Sequence, residues 1–187
     1  MNFRVSDTEY LITFAGMIIV SSLVSLLVAR AREYADAAQI RENETGTLYA
    51  LSQDLARAID VDSIITIVAK HIREIFQWES VFLLPDENQL VVRFASPKLI
   101  LNADDIAVAT WAFQHGAIAG YDTDTLHGSP LRYIPLQSSK QVLGIMGVKP
   151  SEPEGVITHE QELILTAFAT QAALALEWVN LTKRAGK

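Results

Sequence analysis

An uncharged apolar run near the amino terminus constrains this 187-residue chain more than any other feature. Residues Tyr10–Ala29 contain no Asp, Glu, Lys or Arg. An α-helix needs about 20 apolar residues to cross a hydrocarbon core about 30 Å thick. A secretory signal peptide has a shorter apolar stretch and a small-residue cleavage site, and a buried core helix rarely stays uncharged for so long. The run therefore predicts one transmembrane helix over residues 10–29.

Basic residues set the orientation of this helix. Arg30 and Arg32 follow the run directly, whereas only Arg4 precedes it. Lys and Arg accumulate on the cytoplasmic side of membrane helices. The sequence therefore predicts a single-pass protein of the inner (cytoplasmic) membrane, with residues 1–9 as a short extracytoplasmic tail.

The rest of the chain divides into three parts. Residues 30–43 are charged, rich in alanine and free of Gly and Pro, which predicts a juxtamembrane signalling helix. Residues 44–182 are long enough for one domain with its own core, and residues 183–187 form a tail. We expect the domain to lie in the cytoplasm.

Composition excludes several classes of function. The sequence has no cysteine, which excludes disulfides, cysteine nucleophiles and iron–sulfur clusters and fits a reducing cytoplasm. The net charge is −7, and no basic stripe occurs beyond the arginines that follow the apolar run. This charge distribution argues against nucleic acid as a partner.

Hydrophobic periodicity predicts an α+β domain. Apolar residues at helical spacing alternate with short apolar runs separated by turn residues, in the order helix–helix–β–β–helix–loop–β–β–helix. We predict N-caps at Asp62 and Asn102, a helix end at Gly116, and a capping box formed by Thr158 and Gln161. The strands pair as antiparallel hairpins with the helices largely on one face. The predicted elements are helices near 48–59, 62–76, 104–115 and 160–182 and strands near 80–84, 90–95, 131–136 and 141–149.

Five stretches of the domain carry a family resemblance: LLPDENQL (83–90), AVATWAFQHGAIAG (107–120), TDTLHGSPLRYIP (123–135), VLGIMG (142–147) and LTAFATQAALALE (165–177). Together they resemble a known family, the GAF domains of KdpD-type osmosensing histidine kinases. The TDTL sequence that follows W-x-F-x-x-G is the most specific part of the resemblance. The resemblance implies a GAF-like antiparallel sheet with long N- and C-terminal helices, preceded by one transmembrane helix.

The same resemblance implies a function. Such kinases respond to potassium limitation or turgor, so the chain is expected to be a non-catalytic, membrane-anchored sensory relay module whose partner is the remainder of a sensor kinase. About ten residues follow Glu177, so we expect the phosphoacceptor and kinase catalytic domains to be absent and the chain not to be an enzyme. The alternative is a small-molecule-binding GAF receptor tethered to the membrane. No cofactor is implied.

Residues that could carry chemistry have simpler interpretations. His159-Glu160 resembles a kinase phosphoacceptor motif, but His159 falls inside the predicted capping box and no ATP-binding motif accompanies it. His71 is interpreted as part of a solvated helix face. A metal site needs three or four convergent ligands, and we predict none. Asp122 and Asp124, two residues apart, are expected to bond to nearby backbone rather than to share acid–base work, so we predict no catalytic residues.

The family plan implies a ligand pocket under the helix and loop that cover the sheet. Eight residues would line or gate it, with two of them, Asp124 and Thr125, fixing the loop rather than touching a ligand. The eight pocket candidates are Trp111, His115, Tyr121, Thr123, Asp124, Thr125, His127 and Tyr133.

The terminal helices of the domain predict a parallel homodimer. Two copies anchored in one membrane must point the same way, and the final helix has more than one apolar face. Ile164, Phe168 and Leu176 are expected to face the sheet and to leave the opposite side for a partner. The dimer-helix candidates are Leu48, Leu55, Ala167 and Leu174.

Overall fold

The structure, a computed structural model, describes residues 46–87, 89–139, 141–151 and 155–185. The predicted membrane helix and the predicted signalling helix therefore lie outside the described residues. Residues 47–187 form one unit by their contacts, and the fold is described for that unit alone.

The centre of the unit is a five-stranded antiparallel sheet. Its strands are β1 at Glu79–Asp86, β2 at Gln89–Ala95, β3 at Ala119–Gly120, β4 at Arg132–Gln137 and β5 at Val142–Lys149, in the spatial order β2-β1-β5-β4-β3. The two predicted hairpins are confirmed as β1–β2 and β4–β5, and β5 joins them by pairing with β1. The short strand β3 was not predicted, because two residues carry no hydrophobic period.

Four helices accompany the sheet within the described residues. The first ends earlier than predicted, so Ile59 lies beyond it with 88% of its surface exposed. The last begins one residue before the predicted residue 160 and runs three residues further than expected. The helices are α1 at 46–55, α2 at Val61–Phe76, α3 at Ala103–His115 and α4 at His159–Ala185.

Capping side chains explain where the helices begin. The prediction of Asp62 as a cap is wrong: Asp60 is the N-cap of α2, because its Oδ1 accepts the Ser63 N–H at 2.8 Å. Asp62 instead accepts a hydrogen bond from the Arg93 guanidinium at 2.7 Å. The predicted cap at Asn102 is confirmed, and the predicted Gly116 end of α3 is confirmed by its left-handed φ of 60°.

The predicted capping box at the start of α4 is also present. The Thr158 hydroxyl accepts the Gln161 N–H at 3.2 Å, and the Gln161 side chain accepts the Thr158 N–H at 2.9 Å. His159 is therefore the first residue of a capped helix.

Side-chain alternation along the strands divides the core into two clusters. Phe82, Ile134 and Met146 lie in the cluster that α1, α2 and α4 cover. Val81 and Tyr133 lie in the other cluster, which α3 covers. The prediction that the helices lie largely on one face therefore holds for three helices, while α3 closes the opposite face.

Within the described residues, the stretch His159–Thr182 of α4 is the one helix long and apolar enough to cross a membrane by length and composition. In the domain this stretch packs on the sheet, and Phe168, Ala173 and Leu176 are buried there. These contacts are those of a core helix, which passes the same test.

Candidate functional site

The helix α3 lies close to the sheet because small residues face it. Ala109 and Ala112 are fully buried in the cluster with Val81 and Tyr133. Alanine at such positions lets the helix backbone approach the strands. Its start is fixed by a reciprocal capping box, in which Asn102 and Asp105 each accept a backbone N–H of the other at 2.8 and 3.1 Å.

A buried polar group lies at the same end of α3. The Ser129 hydroxyl donates to Asp105 Oδ1 at 2.9 Å and accepts the Leu131 N–H at 3.2 Å. Asp105 is 3% exposed and Ser129 is 8% exposed. A buried carboxylate needs such donors, because an unpaired charge in a low-dielectric interior is costly. Asp105 and Ser129 therefore attach the loop before β4 to the first turn of α3.

Tyr133 occupies the centre of the α3 face. Gly147 lies opposite it in the β4–β5 pairing, and a Cβ there would stand 2.6 Å from Val81 Cγ1 and 3.0 Å from Tyr133 Cε1. The glycine thus leaves the space that the ring and Val81 occupy. The hydroxyl of Tyr133 is buried and has no hydrogen-bond partner within 3.5 Å. Burial raises the pKa of Tyr133 well above its usual value; the nearby Ser129 hydroxyl opposes this rise and the Asp105 carboxylate adds to it.

The eight pocket candidates do not converge on one cavity in this structure. Trp111 stacks on exposed His115, with ring centroids 4.1 Å apart, and Tyr133 lies beneath α3. Tyr121 packs against the opposite cluster and donates its hydroxyl hydrogen bond to Gly155 O. The other four lie along the loop after β3: Thr123, Asp124, Thr125 and His127.

Hydrogen bonds within that loop support the expectation that it is internally fixed. The Gly120 N–H donates to Thr125 O at 2.8 Å, and the Thr123 hydroxyl lies 2.7 Å from Gly120 O and 2.8 Å from Thr125 O. Asp124 and His127 are exposed. Thr125 thus holds the loop through its carbonyl, whereas Asp124 extends toward solvent.

Four of the surface cavities in the described part of the chain have volumes of about 240 to 370 Å³. The first lies between Trp78 and Ile157, and the second between Ile59 and Trp178. The other two flank the pair of Asp62 and Arg93. None of the four is lined by any of the eight pocket candidates, so the ligand pocket stays a prediction.

Sequence reasoning missed the role of Arg132. Its side chain is 6% exposed, and it donates to Asp122 O at 2.8 Å and to Glu162 Oε1 at 2.5 Å. Asp122 in turn accepts the Ile157 N–H at 2.9 Å through Oδ2, a long-range bond rather than the local one expected. An arginine two residues before Ile134, on the buried face of a strand, was the available signal, since a buried cation requires a carboxylate.

The interpretation of His71 as solvated is wrong. His71 is 7% exposed, its Nε2 lies 3.0 Å from Asp54 Oδ2, and its ring meets the edge of Phe168. The hydrogen bond from His71 lowers the pKa of Asp54. The signal was in the spacing, because His71 follows Ile64 by seven and Val68 by three residues and therefore lies on the buried stripe of α2.

The dimer-helix candidates separate into two groups. Leu55 is 8% exposed and Leu48 packs against the same core, so both contact their own domain. On α4, Ala167 is half-buried and Leu174 is 57% exposed. The residues expected to face the sheet, among them Phe168, are buried, as predicted.

Among the described residues, no group of three His, Asp or Glu side chains converges as metal ligands would. The polar side chains instead join separate elements of the fold through hydrogen bonds. Asp105 links the loop to α3, Arg132 links it to α4, and His71 links α1 to α2.

Comparison with known proteins identifies the fold. The sequence model of the family described as GAF domain (GAF_3) matches residues 60–178. Sensor protein KdpD of Escherichia coli K12 is 36% identical over 178 residues, which cover 95% of this chain and 20% of that protein. Sensor protein KdpD of Clostridium acetobutylicum is 30% identical over 194 residues, covering 100% of this chain and 21% of that protein.

A solved structure agrees with these sequence matches. The crystal structure of the native GAF domain of the potassium sensor histidine kinase KdpD from Escherichia coli aligns with a TM-score of 0.68 at 30% identity. The alignment covers 75% of this chain and 98% of that domain. The chain spans about a fifth of the length of the curated relatives that it matches. The chain therefore belongs to the GAF domain family, and its domain is of the type found in KdpD sensors.

Proposed function

We propose that this chain is a non-catalytic sensory relay module of a KdpD-type two-component sensor that responds to potassium or turgor. Residues 10–29 would anchor it in the inner membrane, and residues 30–43 would carry motion to a cytoplasmic GAF domain. The similarity to KdpD sensors over nearly the whole chain supports this assignment. The remainder of a sensor kinase is the proposed partner.

The two-sided surface of α4 is the observation that carries the relay proposal. One side of α4 is buried against the sheet, with Phe168 fully covered. The other side exposes large apolar residues that recur at helical spacing, and exposed stripes of this kind are typical of helices with a partner. The exposed set on α4 is Leu163, Leu174, Trp178 and Leu181.

We propose that this stripe pairs with the same stripe of a second copy in a parallel homodimer. Leu174 and the half-buried Ala167 lie on the free side, whereas Leu48 and Leu55 are used within their own domain. On α1, Tyr49 is a large exposed side chain that remains available. A helix with one side fixed to the sensor domain and the other to a partner can transmit rotation or sliding between chains.

A small-molecule receptor is the second candidate function. It is favoured by the buried Tyr133 hydroxyl, which has no hydrogen-bond partner within 3.5 Å although the Ser129 hydroxyl lies nearby. A ligand that displaced α3 could bond to it. A ligand would then raise the unfolding temperature of wild type but not of Tyr133→Phe.

The relay proposal is tested in a chimera. The matching segment of Escherichia coli KdpD is replaced by this chain, and kinase output is followed with a transcriptional reporter during potassium limitation. We expect a retained response that Leu174→Glu reduces. Ile100→Glu is the matched control, since Ile100 is 92% exposed and lies off α4. A normally inserted chimera with wild-type output in Leu174→Glu would contradict relay through paired α4 helices.

Two further experiments test anchoring and chemistry. Reporter fusions after residue 187 are expected to score as cytoplasmic, because Arg30 and Arg32 follow the apolar run. Incubation with labelled ATP is expected to leave His159 unmodified, since it lies in a capped first turn. Periplasmic reporter activity or labelled His159 would count against the proposed role.

A further inference from the structure

The segment of residues 119–131, here called the strap, runs along the β3 edge of the sheet. It starts with β3, the last strand in the order, and ends just before β4. The helix α3 covers one face of this sheet and α4 covers the other. The strap is bonded directly to α3 through Ser129, and it is connected to α4 through Arg132 of β4.

The first anchor connects the strap to α3. The Ser129 hydroxyl donates to Asp105 Oδ1, and the other oxygen of this carboxylate accepts the Asn102 N–H in the capping box. Asp105 therefore holds the start of α3 and the end of the strap at once. Both Asp105 and Ser129 are buried, so water does not replace their hydrogen bond without an opening of the structure.

The second anchor connects the strap to the start of α4. Arg132, the first residue of β4, donates to Asp122 O in the strap and to Glu162 Oε1 in the first turn of α4. Asp122 also accepts the Ile157 N–H just before α4. Since the guanidinium is buried, separation of Glu162 from it would leave a cation unpaired, which resists movement of α4 alone.

Backbone hydrogen bonds within the strap restrain its conformation. Its turn is closed by the Gly120 N–H to Thr125 O bond and by the Tyr121 N–H to Leu131 O bond, both 2.8 Å. Gly120 has a φ of 95°, and a Cβ at this position would stand 2.1 Å from Leu131 O. Only glycine permits this close approach of the two ends of the strap.

We infer that the strap couples the position of α3 on one face of the sheet to the first turn of α4 on the other. This inference rests on the proposed relay function, in which α4 is the output helix. A change that lifts α3 shifts Ser129, and the strap transfers the shift through Asp122 and Arg132 to Glu162. The coupling is reciprocal, so loosening either anchor loosens the other.

Hydrogen–deuterium exchange of the full chain in lipid nanodiscs tests the coupling in both directions. Glu162→Gln removes the charge at the α4 anchor, and Ser129→Ala removes the hydroxyl at the α3 anchor. The matched controls are Glu160→Gln in the same turn and Ser139→Ala at an exposed serine. Peptides from α2 report global unfolding.

We expect Glu162→Gln to speed exchange by about tenfold near 157–162, where a charge-assisted bond is lost, and by about threefold or more at 102–106 across the sheet. Ser129→Ala is also expected to speed exchange at both anchors, with the larger effect at 102–106 and the smaller one near 157–162. Exchange in α2 is expected to stay unchanged in both variants. The inference is overturned if each variant affects only its own anchor, or if Glu160→Gln reproduces the effect of Glu162→Gln.

Faster exchange in α2 as well as at both anchors would show global loosening rather than a strap, and would also overturn the inference. The double variant gives an independent measure: coupled anchors yield less than the sum of the two single effects. This readout needs no kinase output. A chimera that fails to signal therefore refutes the relay proposal without bearing on the strap.

Discussion

The two faces of the sheet are built in different ways. The face covered by α1, α2 and α4 buries a broad set of aliphatic and aromatic residues, with Phe168 and Met146 at its centre. The face covered by α3 is smaller, and among its described residues it includes a buried carboxylate, Asp105, and a buried tyrosine, Tyr133. The first face has the broader apolar packing and also includes the pairs His71–Asp54 and Arg132–Glu162. The second face has fewer apolar contacts and is closed at one end by the hydrogen bonds of Asp105.

This difference indicates where the domain can change shape. Separating the elements of a close-packed apolar core costs much free energy, because every lost contact contributes. A face closed by one helix, a loop and a few hydrogen bonds has fewer contacts to lose, and such regions open at lower free energy. The α4 face is therefore the stable base, and the α3 face is the side at which a signal could enter.

Phe168→Ala is expected to have the largest effect, because it removes a side chain from the centre of the stable face. Phe168 is fully buried and meets the rings of His71 and Phe76 edge-on. We expect the free energy of unfolding to fall by about 3–5 kcal/mol, from lost burial and the cavity left behind. Urea unfolding followed by circular dichroism measures the change.

The control for this variant is Leu174→Ala on the same helix. Leu174 is 57% exposed, so its truncation should cost much less in a monomer. If the two substitutions cost the same, α4 is not the base that its burial pattern indicates, and the comparison of the two faces fails.

Periodicity predicted most of the stable face. Ile64, Val68 and Phe168 were placed correctly, because a helix that packs on a sheet repeats its apolar residues every three or four positions. The hairpins were predictable for a similar reason, since Pro85 and the polar residues after it interrupt two apolar runs.

The α3 face was predictable only in outline. The cap at Asn102 follows from local chemistry, but the bond of Ser129 to Asp105 joins residues 24 positions apart. The bond of Arg132 to Glu162, on the α4 side of the sheet, likewise joins residues 30 positions apart. No local pattern encodes such pairs. The arrangement of Tyr133 over Gly147 likewise depends on the register of β4 and β5, which is set by the whole sheet.

Gly147→Ala is expected to have the next largest effect, and it tests how tightly the α3 face is packed. The added Cβ would stand 2.6 Å from Val81 Cγ1 and 3.0 Å from Tyr133 Cε1. Overpacking of this kind costs about 1–3 kcal/mol. Gly128→Ala is the control, since a Cβ at Gly128 meets nothing within 4 Å. Equal stability of the two variants would mean that this face yields easily around Tyr133.

Tyr133→Phe should change stability in the opposite direction. The hydroxyl is buried without a partner, so its removal is expected to raise the free energy of unfolding at pH 7 by about 1 kcal/mol. Thermal unfolding against Tyr49→Phe, at an exposed tyrosine, checks this expectation. A loss of stability in Tyr133→Phe would show that the hydroxyl makes a bond in solution.

Alkaline pH gives a second test of the same residue. Burial raises the pKa of Tyr133, so above about pH 10 the unfolded chain releases a proton that the folded chain keeps. The contribution of this residue is complete below the unfolded pKa and is lost as pH rises beyond it. Wild type should therefore lose stability faster than Tyr133→Phe above pH 10. Parallel curves of stability against pH would contradict burial of the hydroxyl.

Asp54→Asn is expected to have the smallest effect. It tests whether the Asp54–His71 pair contributes to the contact between α1 and α2. The hydrogen bond from His71 lowers the pKa of Asp54, so the pair stabilises the fold above the ordinary Asp pKa of about 3.9. That contribution is lost as pH falls through the lower, folded value, because the folded chain then binds the proton that the unfolded chain already holds.

Urea unfolding between pH 7 and pH 3 should thus show that the free energy of unfolding falls more steeply toward acid pH for wild type than for Asp54→Asn. Asp124→Asn, at an exposed loop carboxylate, controls for the change in net charge. If wild type and Asp54→Asn lose stability in parallel, the contact between α1 and α2 does not depend on this pair, and apolar packing by Leu51 and Leu55 alone fixes α1 to the domain.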